Sequence, residues 1–378
     1  MLKSSIKKVV KIAWEDWTKA VIFKSGNLPA VIVLKDVCLL KSRVIGCTDM
    51  KKSFVRRACV ILAGLMLSSF GYGKSIVKSD VDNPLNQDGI GETEILVVSF
   101  GTSYNDSRIA TIGEVEKSIQ NAFPKYSVRR AFTSQIIIKH VLKRDGEKID
   151  NVTEALDRAV NNGVKKLIVQ PTHLMHGAEY DELIAALDAY KDKFALVEVA
   201  EPLLGEVGGS DEITNSDKKQ VSEAVVADMA KVAGYKNRLA AEKAGTAFVL
   251  MGHGTSHDAK ISYTQMAAQM KDLGYSNVFI GTVEGEPEET AVENIIEAVH
   301  KSGFKKVILR PLMLVAGDHA TNDMAGDEDD SWKSLFNASG YFDGVDCQIL
   351  GLGQIPAIQK IYVAHTNQAL KNSKKKLK

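Results

Sequence analysis

Gly163-Val-Lys-Lys-Leu-Ile-Val-Gln-Pro171 and Gly303-Phe-Lys-Lys-Val-Ile-Leu-Arg-Pro311 are two versions of one stretch, set 140 positions apart. Each leaves a turn glycine, passes two lysines, enters a short apolar run and stops at a proline. A second pair, Ser99-Phe-Gly-Thr-Ser103 and Gly252-His-Gly-Thr-Ser256, repeats the correspondence just after two other apolar runs. The halves of the chain are therefore related, and the repeated unit is a buried strand followed by a tight loop. Outward from these anchors, short apolar runs at 95–99, 167–170, 196–199, 247–251, 278–282, 307–310 and 348–350 read as strands. Between them the apolar residues recur at helical spacing. Ile109, Ile112, Val115 and Ile119 form one face of a helix that ends by Pro124; Val221, Val225 and Met229 mark a second helix, and Val292, Ile295, Ile296 and Val299 a third. Strands that alternate with helices in this way build parallel sheets covered on both faces. The predicted fold is α/β, with two similar doubly wound parallel-sheet domains, 93–210 and 211–370, facing a central cleft. The boundary falls in the Gly- and Ser-rich stretch 205–215. Ligands of such sheets sit beyond the carboxyl ends of the strands, so the cleft is the expected site.

The two halves diverge at chemically loaded positions. Phe100 of the first half is replaced by His253 in the second, and Glu179 stands where His319 stands. His253, Glu284 and His319 each follow a predicted strand end, which places them on one rim of one sheet although they are far apart in sequence. Two imidazoles and a carboxylate make a nitrogen and oxygen set suited to Co2+, Fe2+, Ni2+ or Zn2+, and too rich in nitrogen for Mg2+ or Ca2+. Three protein ligands leave coordination positions open, as in sites where a metal reacts or passes through. His257, one short turn beyond His253, is a candidate supporting partner. His300 and His365 read as structural or surface histidines. Gly252-His-Gly254 lacks the full glycine fingerprint and acidic partner of a nucleotide site. The acids Asp318, Asp323, Asp327, Glu328, Asp329 and Asp330 do not follow calcium-loop spacing, and most read as a solvated loop with helix caps.

Composition sets the outer limits. The chain has 378 residues, 45% hydrophobic and 25% charged, enough for two sizeable domains. Lys plus Arg is 48 against 47 Asp plus Glu, a formal charge of +1, which gives no electrostatic ground for binding nucleic acid or an anionic membrane. The basic tail 371–378 reads as a solvated, frayed end. From Met50 the order is basic (Lys51, Lys52, Arg56, Arg57), apolar (58–67) and then small or turn-forming (68–73), which is the layout of a secretory signal peptide. The apolar run is too short for a membrane span. On this reading 1–49 is an upstream extension, 50–73 the signal peptide and 74–92 a polar linker, and the protein is exported, to the periplasm; an unprocessed segment would leave it cytoplasmic. Cys38, Cys47 and Cys59 precede the expected cleavage point, and Cys347 alone follows it, so no disulfide framework forms.

Several longer motifs now bear on function: Val98-Ser-Phe-Gly-Thr-Ser103, Ala131-Phe-Thr-Ser134 with Arg144-Asp-Gly146, Met251-Gly-His-Gly-Thr-Ser-His257, Val283-Glu284, and Pro311-Leu-Met-Leu-Val-Ala-Gly-Asp-His-Ala-Thr-Asn-Asp-Met324 with Asp330-Ser-Trp-Lys333 beyond it. In these the sequence resembles the anaerobic cobalt chelatases of cobalamin biosynthesis, class II chelatases acting on sirohydrochlorin, over nearly all of 95–369. The resemblance implies a lyase that inserts Co2+, or else Fe2+ or Ni2+, into a tetrapyrrole. It implies that His253, Glu284 and His319 hold the metal, that Glu179 faces them across the cleft, and that the protein forms homo-oligomers. The signal segment departs from the family pattern, since corrin precursors are made in the cytoplasm. That departure keeps two rivals in view: an exported iron chelatase or haem dechelatase, and a haem or metal carrier on the same fold. For the carrier, His140 is the candidate axial haem ligand, against the plainer reading of an exposed helical histidine.

Overall fold

The computed structural model describes residues 83–210 and 214–376. The expected upstream extension, signal segment and first part of the linker lie outside the described residues. The first half runs β1 (Thr93–Ser99), α1 (Asn105–Arg108), a π-turn (Ile109–Gly113) into α2 (Glu114–Ala122), β2 (Ser127–Phe132), α3 (Gln135–Asp145), α4 (Val152–Asn161), β3 (Lys166–Pro171), α5 (Ala178–Asp188) and β4 (Leu196–Val199). The second half runs α6 (Ser216–Val232), α7 (Arg238–Lys243), β5 (Thr246–Gly252), α8 (Ile261–Asp272), β6 (Val278–Thr282), α9 (Val292–Lys301), β7 (Lys306–Pro311), α10 (Trp332–Ala338), β8 (Gly344–Cys347) and α11 (Pro356–Lys376).

The strands form two parallel sheets of identical topology, β2-β1-β3-β4 and β6-β5-β7-β8. The duplicated strands at 166–171 and 306–311 therefore hold the same place in each sheet. Alternation along the central strands shows why these runs are apolar throughout. Ile95 and Val97 join one core while Leu96 and Val98 face another; Phe248 and Leu250 turn to the first core, and Ala247, Val249 and Met251 to a third. A strand buried on both faces has no polar side to show. The core that receives Ile95, Val97, Phe248 and Leu250 is common to both halves. It is filled by residues of α2, α6, α8 and α11, among them Val115, Val225, Met266 and Tyr362.

Three observations differ from the sequence reading. β2, which no apolar run announces, is the strand Ser-Val-Arg-Arg-Ala-Phe; Arg129 and Arg130 are buried in it, each paired with a buried carboxylate, Glu94 and Glu116 respectively. The last strand is Gly344–Cys347 rather than 348–350. It is a short edge strand, half-exposed, so its composition carries little apolar signal. Residues 371–376, expected as a frayed basic end, are the closing turns of α11. There Ser373 is buried and the Lys376 ammonium meets the Glu198 carboxylate at 2.6 Å. Through α11 the second half reaches back over the first, since Tyr362 Oη donates to the Thr172 carbonyl (3.0 Å) and Thr366 Oγ1 to Gln170 Oε1 (2.8 Å).

Part of the expected linker is also structural. Along the outer edge of β2, Arg130 N donates to the Leu85 carbonyl (3.1 Å) and Gln87 Nε2 to the Val128 carbonyl (3.2 Å). This covers a strand edge that would otherwise offer unpaired backbone groups. Among the described residues no helix is long and apolar enough to cross a membrane.

Candidate metal centre

β1 and β5 are the second strands of their sheets, and each ends in the duplicated loop. Both loops turn on a glycine with positive φ, +101° at Gly101 and +92° at Gly254. A side chain at either place would be strained by its conformation and blocked by neighbours: a Cβ on Gly101 would lie 2.6 Å from the Phe132 ring, and one on Gly254 2.8 Å from Glu284 Cβ. The second contact has functional weight. Gly254 lets the Glu284 side chain lie against the His253 loop, while Val283 N donates to the Gly252 carbonyl (3.0 Å) and Glu284 N to the His253 carbonyl (2.9 Å). The pairing of β5 with β6 is thus carried one residue past the end of β5 and two past the end of β6, and it fixes His253 and Glu284 as neighbours.

His319 arrives from the segment after β7, at the start of the π-turn Ala320–Met324. Its ring meets that of His253 edge to face, with centroids 4.6 Å apart and planes at 89°. Each ring is anchored through Nδ1: His253 donates to the Gly254 carbonyl (2.8 Å), and His319 to Asp323 Oδ2 (2.6 Å). With Nδ1–H so engaged, Nε2 is the nitrogen whose lone pair is left for a ligand or a proton, and the supporting acceptor raises its basicity. Among the described residues no three His, Cys, Asp or Glu side chains already converge as a metal-holding group. His253, Glu284 and His319 all line a cavity of about 800 Å³, with the two imidazoles in direct contact.

The first half lines the same cavity. Glu179, in the first turn of α5, lines the cavity, as do Phe100, Thr102, Tyr104 and His173. Most of the remaining lining is apolar, including Ile112, Ile137, Leu174, Met175, Leu312 and Leu314. An apolar cleft with a few convergent polar groups suits a large flat organic ligand. Polar contacts cross between the halves beside it, among them the following two. Tyr104 Oη donates to Asp318 Oδ1 (3.3 Å), and His257 Nε2 meets Asp181 Oδ2 (3.1 Å). His257 Nδ1 accepts from Ala259 N (3.1 Å), so its proton is on Nε2 and goes to Asp181; His257 ties the halves together and does not support His253.

The other histidines separate cleanly. His300 stacks on Tyr341 at 3.8 Å, and His365 is held by Asp217 and the Glu201 carbonyl. His140 is exposed on α3 and is not among the cavity-lining residues. Of the acids read as a solvated loop, two stand at the site: Asp323 is the acceptor that orients His319, and Asp318 lines the cavity and accepts from Tyr104.

Among the cavity residues that escaped the sequence reading, two carry titratable groups deep in the site. Tyr263 is buried beneath the His253 loop, accepts a hydrogen bond from Gly254 N (3.1 Å), and has its hydroxyl pushed up to about 12 by burial. Nothing local in the sequence marks it. His173 could have been found, because the 140-residue offset that pairs Glu179 with His319 also pairs His173 with Met313. The residue is half-buried as a whole, yet both ring nitrogens are buried without a protein hydrogen-bond partner. Burial lowers its pKa to about 4, opposed by the nearby Glu179 charge.

A stability prediction follows from that depression. Between pH 6.5 and about 4 the unfolded chain protonates this imidazole while the folded protein resists, so the unfolded state binds more protons. Stability contributed by the neutral form is present above the unfolded pKa and is lost as pH falls through this window, by at most about 3 kcal/mol. His173→Met, which copies the residue of the second half, should flatten the pH dependence of unfolding by close to one proton. Urea unfolding at intervals from pH 4 to 7 measures it; parallel slopes for both proteins would refute the assignment.

A chain of two like parallel α/β halves, with paired imidazoles and a carboxylate from each half lining one apolar cleft, fits a metal-handling protein of the chelatase class. Comparison with known proteins narrows this. The family model described as Cobalt chelatase (CbiK) matches residues 93–371, and the chain belongs to that family. Sirohydrochlorin cobaltochelatase of Salmonella typhimurium is 36% identical over 276 residues, covering 73% of this chain and 96% of that protein. Sirohydrochlorin cobaltochelatase CbiKC of Nitratidesulfovibrio vulgaris is 34% identical over 248 residues, 65% of this chain and 80% of that one. Among solved structures, SirB from Bacillus subtilis with Fe3+ is similar with a TM-score of 0.50 over 75% of this chain and 98% of that one; at 14% identity the likeness speaks to the fold alone. The chain is accordingly an enzyme, a metal chelatase of the lyase class.

Proposed function

We propose that this chelatase inserts Co2+ into sirohydrochlorin within the cavity between its two halves, with His253, Glu284 and His319 presenting the metal and Glu179 facing them. The observation that carries the reading is the matched anchoring of the two histidines. Both give Nδ1–H to a fixed acceptor and keep Nε2 for a transient task. Insertion exchanges the metal's protein ligands for four ring nitrogens and releases two pyrrole protons. The Nε2 lone pair that binds Co2+ becomes basic as the metal departs, so the same atom can take up a proton, His253 first and His319 sharing the duty. Glu284 offsets the metal charge on arrival, and Glu179 orients the macrocycle or relays protons from the other half.

Co2+ and Fe2+ accept the same ligand set, so the metal is assigned on family membership. Anaerobic incubation with sirohydrochlorin and Co2+, Fe2+ or Ni2+ in turn, followed by absorption, should give multiple turnovers with Co2+. A change that stops at one equivalent per protein would replace the enzyme reading with that of a carrier. The order basic, apolar, small in 51–73 supports export to the periplasm, to be tested by the mature N-terminus of protein recovered from that compartment. The family resemblance supports a homo-oligomer, which sedimentation analysis would test.

A further inference from the structure

Phe100 is an unusual residue in its setting. It follows β1, whose residues from 95 to 98 are fully buried, and stands beside the buried cluster of Ile112, Phe132, Ile138 and Val141, yet it is 50% exposed and lines the cavity. Its backbone is fixed on both sides. The Phe100 carbonyl accepts from Ser134 N (3.2 Å), and the next residue, Gly101, lies so close to the Phe132 ring that no side chain fits there. A large aromatic ring is thus held out of an adjacent core by a rigid loop. A solitary exposed phenylalanine on an open surface would call for no explanation. One held half-exposed in a ligand cleft does, because covering it is favourable only when something apolar arrives.

The duplication indicates what arrives and from which side. β1 and β5 hold the same place in sheets of the same order, and Phe100 and His253 hold the same place in the loops that follow. The two side chains therefore enter the cavity from its two halves at pseudo-equivalent positions. Where one half offers an imidazole to a metal, the other offers a flat apolar face without donor or acceptor. We infer that Phe100 is a positioning residue, a platform on which the tetrapyrrole stacks with the face turned away from His253 and His319, so that its other face meets the metal. Aromatic rings favour offset stacking on one another, which aligns a macrocycle without fixing its substituents. The inference rests on the tetrapyrrole reading of the cavity.

The test uses the full chain and the variants Phe100→Ala, Phe100→Leu and Phe100→Trp. It measures binding of metal-free sirohydrochlorin by absorption and fluorescence titration, binding of Co2+ by calorimetry, and steady-state turnover. Phe100→Ala should weaken sirohydrochlorin binding and raise its KM by about tenfold or more, with Co2+ affinity within twofold of the parent. Phe100→Trp should restore binding to within a few-fold. Phe100→Leu, apolar and of comparable bulk, should stay close to the alanine variant and, like it, lose the shift of the bound macrocycle's absorption bands that the parent and Phe100→Trp produce. Sirohydrochlorin binding unchanged in Phe100→Ala overturns the inference, as does full rescue by leucine, while turnover by the parent keeps the cavity reading intact. A parent protein that binds no sirohydrochlorin overturns the cavity reading and this inference together.

Discussion

His319→Ala should lower the rate of Co2+ insertion by about 100- to 10,000-fold, and Asp323→Ala should lower it by a smaller factor, about 10- to 100-fold. The grading comes from how the two histidines are held. His319 owes its orientation to a side chain, the Asp323 carboxylate 2.6 Å from Nδ1, whereas His253 owes its own to the backbone carbonyl of Gly254. Removing the aspartate leaves the ligand in place but lets the ring turn and weakens Nε2 as a base, so Co2+ binding and turnover should fall together. Removing the imidazole takes away a ligand, a proton acceptor and the edge-to-face contact with His253 at 4.6 Å. Anaerobic turnover over a range of Co2+ concentrations, with each variant's thermal midpoint as a folding control, separates these losses. His319→Ala within fivefold of the parent, or Asp323→Ala as damaging as His319→Ala, would remove the metal role from this pair.

The legible part of this molecule is the part where burial imposes one chemistry. The strands at 93–99, 166–171, 246–252, 278–282 and 306–311 announce themselves because they are buried almost throughout and their runs are largely apolar. Duplication then exposes the site, since His253 and His319 stand where the first half has Phe100 and Glu179. The loops that hold Phe100 and His253 share a backbone feature, the positive φ of Gly101 and Gly254. What stayed hidden depends on partners remote in sequence. Tyr263 reaches the His253 loop from α8, and α11 crosses back to Thr172 and Gln170 through single hydrogen bonds. Asp323 sits in a run of acids whose spacing from His319 is helical, but spacing alone does not distinguish a ring's acceptor from a solvated charge. β2 was hidden for the opposite reason from β8: β8 is too exposed to look like a strand, and β2 is too charged to look buried.

Glu116→Ala and Arg130→Met should each destabilise the protein by about 3–5 kcal/mol, and Glu116→Leu combined with Arg130→Met should recover most of that loss. The pair is bidentate, with Arg130 Nε donating to Glu116 Oε1 at 2.8 Å and Nη2 to Oε2 at 2.7 Å, and both side chains are only 2% exposed. Deleting either partner takes a bidentate complement from a buried charge, which is costly; replacing both by apolar side chains substitutes an apolar contact between α2 and β2, which costs far less. A double-mutant cycle in urea, with fluorescence and circular dichroism transitions required to coincide, measures the coupling. Single variants within 1 kcal/mol of the parent, or strictly additive losses, would contradict the argument. The consequence extends to the cavity. Just past β2, Thr133 N donates to the Ser99 carbonyl (2.9 Å) and Ser134 N to the Phe100 carbonyl (3.2 Å), while the Phe132 ring packs against Gly101. The wall that carries Phe100 is therefore braced by the strand that the Glu116–Arg130 pair holds against α2. The single variants should lose sirohydrochlorin affinity at temperatures below their global unfolding, and the apolar double variant should regain it.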